Sequence, residues 1–411
     1  MGKTIAMIGA FDTKGAEYAF LRERIAARGH DVLAINTGVL GTTELFGVDV
    51  EADEVAAAGG SGLAALRERQ DRGEAMKVMT AGAAVVVRRL YEAGRFDGII
   101  GMGGTGGTTV VASGLRALPV GVPKVCVSTA ASGDTSAYVG TKDITMIPSI
   151  VDVAGINRIS RMIFARAAGA ICGMVECDVP AVADERPIIT ASMFGNTTEC
   201  VNACMAALAA EGYEVLVFHA TGTGGRTMES LVREGLVDAV LDITTTEWAD
   251  TVCGGVFDAG DERLGAPGEM SVPHLIVPGC VDMANFGPMD TVPQRYRDAG
   301  RTFYEWNPSI TLMRTDADEN RRMGEAFAAK ANAAKGPVAL LIPLRGVSIL
   351  DGDGQPFCDR QADQAMFDAI RANLSAGIEV VEMDNNVNDP EFAAKAVEMM
   401  LSLIDRKKGE A

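Results

Sequence analysis

Residues Gly101–Thr109 read GMGGTGGTT, with five glycines and three threonines in nine positions. Glycine lets a backbone turn tightly and approach a ligand closely. An apolar stretch precedes the run, and Val110–Leu118 after it reads as a helix, so free N–H groups at that helix start face an anion. The helix dipole adds about 0.3–1 kcal/mol for a negative charge there. The chemistry on offer is phosphate binding, with Gly103, Gly104, Thr105, Gly106, Gly107 and Thr108 as candidate ligating residues. The plain alternative is a tight strand–helix junction that binds nothing, but five glycines exceed what a turn needs.

Two standard phosphate loops do not fit. Gly101, Gly103 and Gly106 match G-x-G-x-x-G, a spacing too common to name a ligand. An NAD site would place the motif after the first strand, with an acidic residue at the end of the next one. Here the next strand ends in Ser128 and Thr129. No G-x-x-x-x-G-K-[ST] occurs anywhere in the chain. Two other loops should converge on the same crevice. Asp12, Thr13 and Lys14 follow the first strand, and Ser128–Asp134 (STAASGD), with Ser132, Gly133 and Asp134, follows the fourth. Lys14 could neutralise a phosphate, and Asp134 could hold a metal or a ribose. Each alone reads equally well as a helix cap, a solvated lysine or a turn.

The second half offers different chemistry. Where the glycine run should recur, the chain reads DITTTEWAD (Asp242–Asp250). His219, Glu247, Asp282, Asn285, Arg345 and Ser348 fall just past predicted strands. His219 or Glu247 could act as a base, Arg345 could bind a carboxylate or phosphate, and Ser348 could be a nucleophile. The expectation is that His219, Glu247 and Arg345 line one pocket that does not take the phosphate ligand of the glycine run. Capped loops and surface ion pairs are the competing account. Cys200 and Cys204, one helical turn apart, read as core, and no metal site is expected. Asp351–Gly354 (DGDG) lacks the later ligands of a calcium loop and reads as a hairpin turn.

These residues need a scaffold that brings strand ends together. Thr4–Gly9, Asp31–Asn36, Phe96–Gly101 and Val122–Ser128 read as buried strands, with helices over Ala16–Arg28 and Ala75–Ala93 and a turn at Phe11–Gly15. Strands alternating with helices imply parallel βαβ units. The pattern restarts at Pro187–Ser192 and Glu214–His219, in register with Lys3–Gly41, and Val272–Val277 answers Val122–Val127. The fold class is therefore α/β: two Rossmann-like, doubly wound lobes with parallel sheets, read as an internal duplication against the plainer account that any two βαβ units look alike. The lobes are expected at residues 1–182 and 183–411, joined near Asp178–Arg186. Val338–Pro343 and Glu379–Glu382 read as later strands, and the Pro390–Arg406 helix is assigned to the second lobe.

Composition sets the outer limits. The chain has 411 residues, 48% apolar and 22% charged, enough for large cores. A net charge of −18 disfavours nucleic acid and anionic membranes as partners. Eight cysteines without dense spacing read as reduced thiols in a cytoplasmic protein. No leader pattern and no membrane-spanning apolar run is expected.

Six stretches together carry a family resemblance: IGAFDTKGAE (Ile8–Glu17), GMGGTGGTT, STAASGD, HATGTGG (His219–Gly225), PGCVDMANFG (Pro278–Gly287) and PLRGVSILD (Pro343–Asp351). They span nearly the whole chain, which resembles the Tm-one-like ATP-binding protein family, typified by a plant tobamovirus-resistance protein. The resemblance implies ATP or ADP in the N-terminal lobe, with or without magnesium, and a homodimer or higher oligomer. It carries the site onto the matched FDTK, GGTGG and STAASGD residues. The plant member has a further barrel domain, which this chain is expected to lack. The resemblance supplies a ligand and no reaction. Three readings stay open: an enzyme with nucleotide in the first lobe and a small acidic metabolite in the second lobe or cleft; a non-catalytic ATP-sensing module that binds a partner protein; and, last, an NAD-dependent oxidoreductase.

Overall fold

A computed structural model describes residues 2–180 and 185–410, with only the backbone of residue 410. The expected lobe boundary between residues 182 and 183, and part of the link at Asp178–Arg186, lie outside the described residues. The chain forms two compact units, Met1–Ala181 and Val182–Ala411.

In the first unit, β1 (Thr4–Gly9), β2 (Asp31–Asn36), β3 (Gly98–Gly103), β4 (Lys124–Ser128) and β5 (Thr145–Pro148) form one parallel sheet. Its strand order is β2-β1-β3-β4-β5. Alternate residues of a strand point to opposite faces, so Ala6 and Ile8 enter one core while Ile5 and Met7 enter the other. Val86 and Val111 from helices cover the first face, and Leu21, Phe164 and Ile171 the second. Burial on both faces is why these strands are apolar throughout.

The second unit carries β6 (Ile188–Met193), β7 (Glu214–His219), β8 (Ala239–Thr244) and β9 (His274–Gly279). A three-stranded antiparallel sheet follows: β10 (Met283–Phe286), β11 (Phe303–Asn307) and β12 (Ile310–Arg314), ordered β10-β12-β11. β13 (Val338–Pro343) and β14 (Glu379–Met383) then complete the main sheet, β14-β13-β9-β8-β6-β7. Read from β7, its first five strands repeat the order of the first unit, and the doubly wound α/β class is what the structure has. The Pro390–Glu410 helix inserts Phe392, Ala396, Met400 and Leu403 into this unit's core.

Some local expectations change. Phe11–Gly15 is not a separate turn. It opens the Phe11–Ala26 helix, which bends at Lys14 (φ −128°, ψ 25°). The Phe11 N–H donates to Asn36 Oδ1 at 3.1 Å, so the cap comes from the end of β2. β3 runs two residues later than expected and absorbs the first glycines of the run. Asp351–Gly354 joins no hairpin; the next regular element is the Arg360–Asn373 helix.

Candidate functional site

A doubly wound sheet offers its ligand crevice where the strand order reverses, at the carboxyl ends of the strands. In the first unit that point lies between β1 and β3. Their last paired residues are Ile8 and Gly101, after which the strands part. The buried Tyr18 hydroxyl fills the gap. It bonds the Ile8 and Met102 carbonyls at 2.7 and 2.8 Å and accepts the Met102 N–H at 2.7 Å. Burial raises that phenol far above its ordinary range. Gly9 is required here, because a Cβ on it would stand 1.8 Å from the Tyr18 oxygen.

The glycine run divides into two roles. A Cβ on Gly101 would meet Val111 Cγ1 at 2.4 Å, and one on Gly103 would meet the Gly107 and Thr108 backbone at 2.7 Å. Those two glycines serve packing between strand and helix. Gly104, Gly106 and Gly107 are different: the nearest atoms to an added Cβ lie 3.7–3.9 Å away. Gly104 is the N-cap of the Thr105–Arg116 helix, and no side chain caps that end. The first-turn N–H groups of a helix lack intrahelical acceptors, and here they open beside three glycines that packing does not demand.

Other loops reach the same place. Thr129 Oγ1 and Asp152 Oδ1 lie 3.9 and 4.0 Å from the Cβ position of Gly104. The Arg72 guanidinium lies 3.7 Å from that of Gly106. Lys14 donates its ammonium to the Val153 carbonyl. Asp12 accepts from the Leu40 N–H at 2.9 Å through one oxygen, and its other oxygen is buried without a partner. Thr13 is exposed.

Thr108 departs from its expected role. It is fully buried, and its hydroxyl pairs with Ser128 Oγ at 2.6 Å, so it braces the β3 and β4 ends and does not face the crevice. Ser132, Gly133 and Asp134 are exposed on the loop after β4. Asp134 accepts the Ser136 N–H at 2.9 Å, which lowers its carboxyl pKa; it acts as a turn cap. Thr129 belongs to the STAASGD loop expected here, whereas Asp152 and Arg72 were missed by sequence reasoning, because only the sheet order brings them near the glycines.

In the second unit, the expected pocket does not form. Glu247 is fully buried. One carboxylate oxygen accepts the Gly222 and Gly225 N–H groups at 2.8 and 3.0 Å, and the other accepts Arg263 Nε at 2.6 Å. Buried Arg263 also engages Asp242 at 3.0 Å and Glu229 at 3.3 Å, and His274 Nε2 lies 2.9 Å from Asp242. Burial works to raise the Asp242 carboxyl, but Arg263 and His274 overcome it and hold the group below its ordinary range. His219 is exposed at the edge strand, its ring 5.4 Å from that of Phe194. Arg345 is exposed and paired with Asp353. β7 and β13 are separated by β6, β8 and β9, which sets their ends about 19 Å apart at strand spacing. His219, Glu247 and Arg345 therefore share no cleft.

Ser348 is fully buried and donates to Asp282 Oδ2 at 2.8 Å; it is a brace, not an accessible nucleophile. Arg345 borders a polar cavity of about 420 Å³ with Ile349, Gln355, Asp384 and Asn388. Buried carboxyls nearby titrate unusually: burial pushes Asp282 up to about 6 and Asp351 up to about 8. Cys200 and Cys204 sit in the core. Among the described residues no group of three or more His, Cys, Asp or Glu could hold a metal ion, and no helix is long and apolar enough to cross a membrane.

Comparison with known proteins adds the lineage. Residues 3–180 match the model of the N-terminal domain of the uncharacterised protein family UPF0261, and residues 186–404 match its C-terminal domain. A UPF0261 protein of Clostridium tetani is 46% identical over 99% of this chain and its own full length. One from Mesorhizobium japonicum is 45% identical over 98% of this chain and 99% of its own. The tomato ToMV resistance protein Tm-1(GCR237) is 39% identical over 82% of this chain, which corresponds to 45% of that longer protein.

Proposed function

The chain belongs to the uncharacterised protein family UPF0261, and from that premise we propose that it is a nucleotide-binding protein that holds ATP or ADP at Gly104–Gly107 in its first unit. The observation that carries this reading is the uncapped helix start at Gly104, beside glycines whose side of the loop is open. A phosphate there accepts the first-turn N–H groups and sits at the positive end of the helix. Lys14 and Arg72 supply charge from two flanking elements, and Thr129 supplies a hydroxyl. Asp12, Thr13 and the Ser132–Asp134 loop remain within the proposed binding region. The absence of an acid at the end of β4 favours ATP or ADP over NAD.

No catalytic step is proposed for the second unit. Glu247 and Ser348 are committed to internal partners, and His219 and Arg345 lie at separate strand ends. This favours a binding module over an enzyme that acts on an acidic metabolite in that unit. Thermal denaturation with ATP, ADP, NAD and NADP, each with and without magnesium, tests the assignment. At a hundredfold excess over Kd, ATP should add about 2.7 kcal/mol of apparent stability. A larger shift with NAD than with ATP overturns the reading.

A further inference from the structure

The loop after β5 borders the crevice, with Asp152 near Gly104 and Val153 bonded to Lys14. Its Val151 N–H donates to the Ser149 carbonyl at 2.7 Å, closing a three-residue turn around Ile150. Ile150 has φ +65° and is 68% exposed. A β-branched residue rarely adopts that conformation, and this sense of three-residue turn is strained. Ser149 Oγ adds a second clamp on the Val151 carbonyl at 2.6 Å. Strain of this kind persists only where surrounding contacts impose it.

Those contacts come from two sides. On the helix after β1, Lys14 donates to the Val153 carbonyl, and buried Glu17 accepts the Gly155 N–H. On the other side, Asp152 brings a carboxylate oxygen to 4.0 Å from the Cβ position of Gly104 at the helix start, and among the described residues it has no hydrogen-bond or ion-pair partner. A carboxylate at an uncapped helix start occupies ground that an anionic ligand would take.

We infer that residues 149–155 are a strap held over the crevice by Lys14 and Asp152, and that a phosphate-bearing ligand releases it. The inference rests on the nucleotide reading above. A bound phosphate competes with Val153 for the Lys14 ammonium and repels Asp152 from the helix start. Both restraints on the strap fail together, and relief of the turn at Ile150 favours the open form. The Glu17–Gly155 contact involves none of the groups proposed to meet the phosphate and serves as the fixed end. Nucleotide binding would then be read on the surface as movement of an exposed isoleucine.

Hydrogen exchange on the full chain, with and without ATP and alongside calorimetry, tests this. Expected with ATP is more protection at residues 104–108 and less at 148–157. Lys14→Met without nucleotide should raise exchange at 148–157, since one tether is gone. Asp152→Asn should bind ATP about two- to fivefold more tightly, the range for one partly exposed charge pair. If 104–108 gains protection while 148–157 gains as well or does not change, the strap is wrong and the binding site stands. Unchanged exchange at 148–157 in Lys14→Met, or unchanged ATP affinity in Asp152→Asn, also overturns the strap. No binding heat and no protection at 104–108 would instead remove the nucleotide reading beneath it.

Discussion

At the residue scale, neighbouring glycines should respond differently to the same change. Gly104 has φ −73° and ψ −172°, open to any residue, with free space around a Cβ. Gly104→Val should keep the fold and weaken ATP more than tenfold by calorimetry, because its side chain enters the ligand's space. Gly103→Val instead drives a Cβ into backbone at 2.7 Å, and should lower stability by about 1–3 kcal/mol in denaturant titration. Asp250 gives a pH prediction. Burial pushes its carboxyl up to about 8, against hydrogen bonds from Asn285 that act the other way. The unfolded state releases this proton near pH 4, and the folded state keeps it until about pH 8. Over that window the folded state binds more protons, so stability from this group falls as pH rises. The slope approaches about 1.4 kcal/mol per pH unit for one such group. Asp250→Asn should flatten the decline in denaturation midpoints between pH 5 and 8.

At the scale of elements, the Pro390–Glu410 helix is held by its apolar face. Phe392 is fully buried in the second core, and Phe392→Ala should cost about 3–5 kcal/mol by chemical denaturation. Elements of this kind were legible in the sequence. TIAMIG, DVLAIN and EVLVFH are apolar runs of strand length with turn residues at their ends, and each forms a strand with those bounds. β5 escaped notice because its four residues are only half-buried at a sheet edge, so the pattern is short and weak. The β10–β12 sheet escaped because Met283 pairs with Arg314, 31 residues on, and β11 is mostly exposed. Helix starts also misled: Asn36 on another strand caps Phe11, which local capping rules cannot detect. The candidate site shows the same division. The glycine run announced itself. Asp152 and Arg72 did not, because their approach to the glycines is a product of sheet order. Arg263, which holds Glu247, lies in a loop with no motif around it.

At the scale of the whole molecule, two units repeat one strand order but present unlike strand ends. At the position of Gly104–Gly106, the second unit has Thr245, Thr246 and Glu247. Calorimetry should therefore find one nucleotide per chain, and a stoichiometry of two would show that the second unit also binds. Glu247 makes this divergence hard to undo. Its carboxylate supplies the glycine N–H groups after β7 with the negative charge that a ligand would otherwise bring. Losing Glu247 alone strands those donors and part of Arg263; losing Arg263 alone leaves Glu247, Asp242 and Glu229 facing one another in the interior. Either step costs about 3–5 kcal/mol, a large share of the roughly 5–15 kcal/mol that holds a typical domain together. The pair acts as an evolutionary ratchet: descendants of this chain can alter the first crevice one residue at a time, but reopening the second requires several changes at once.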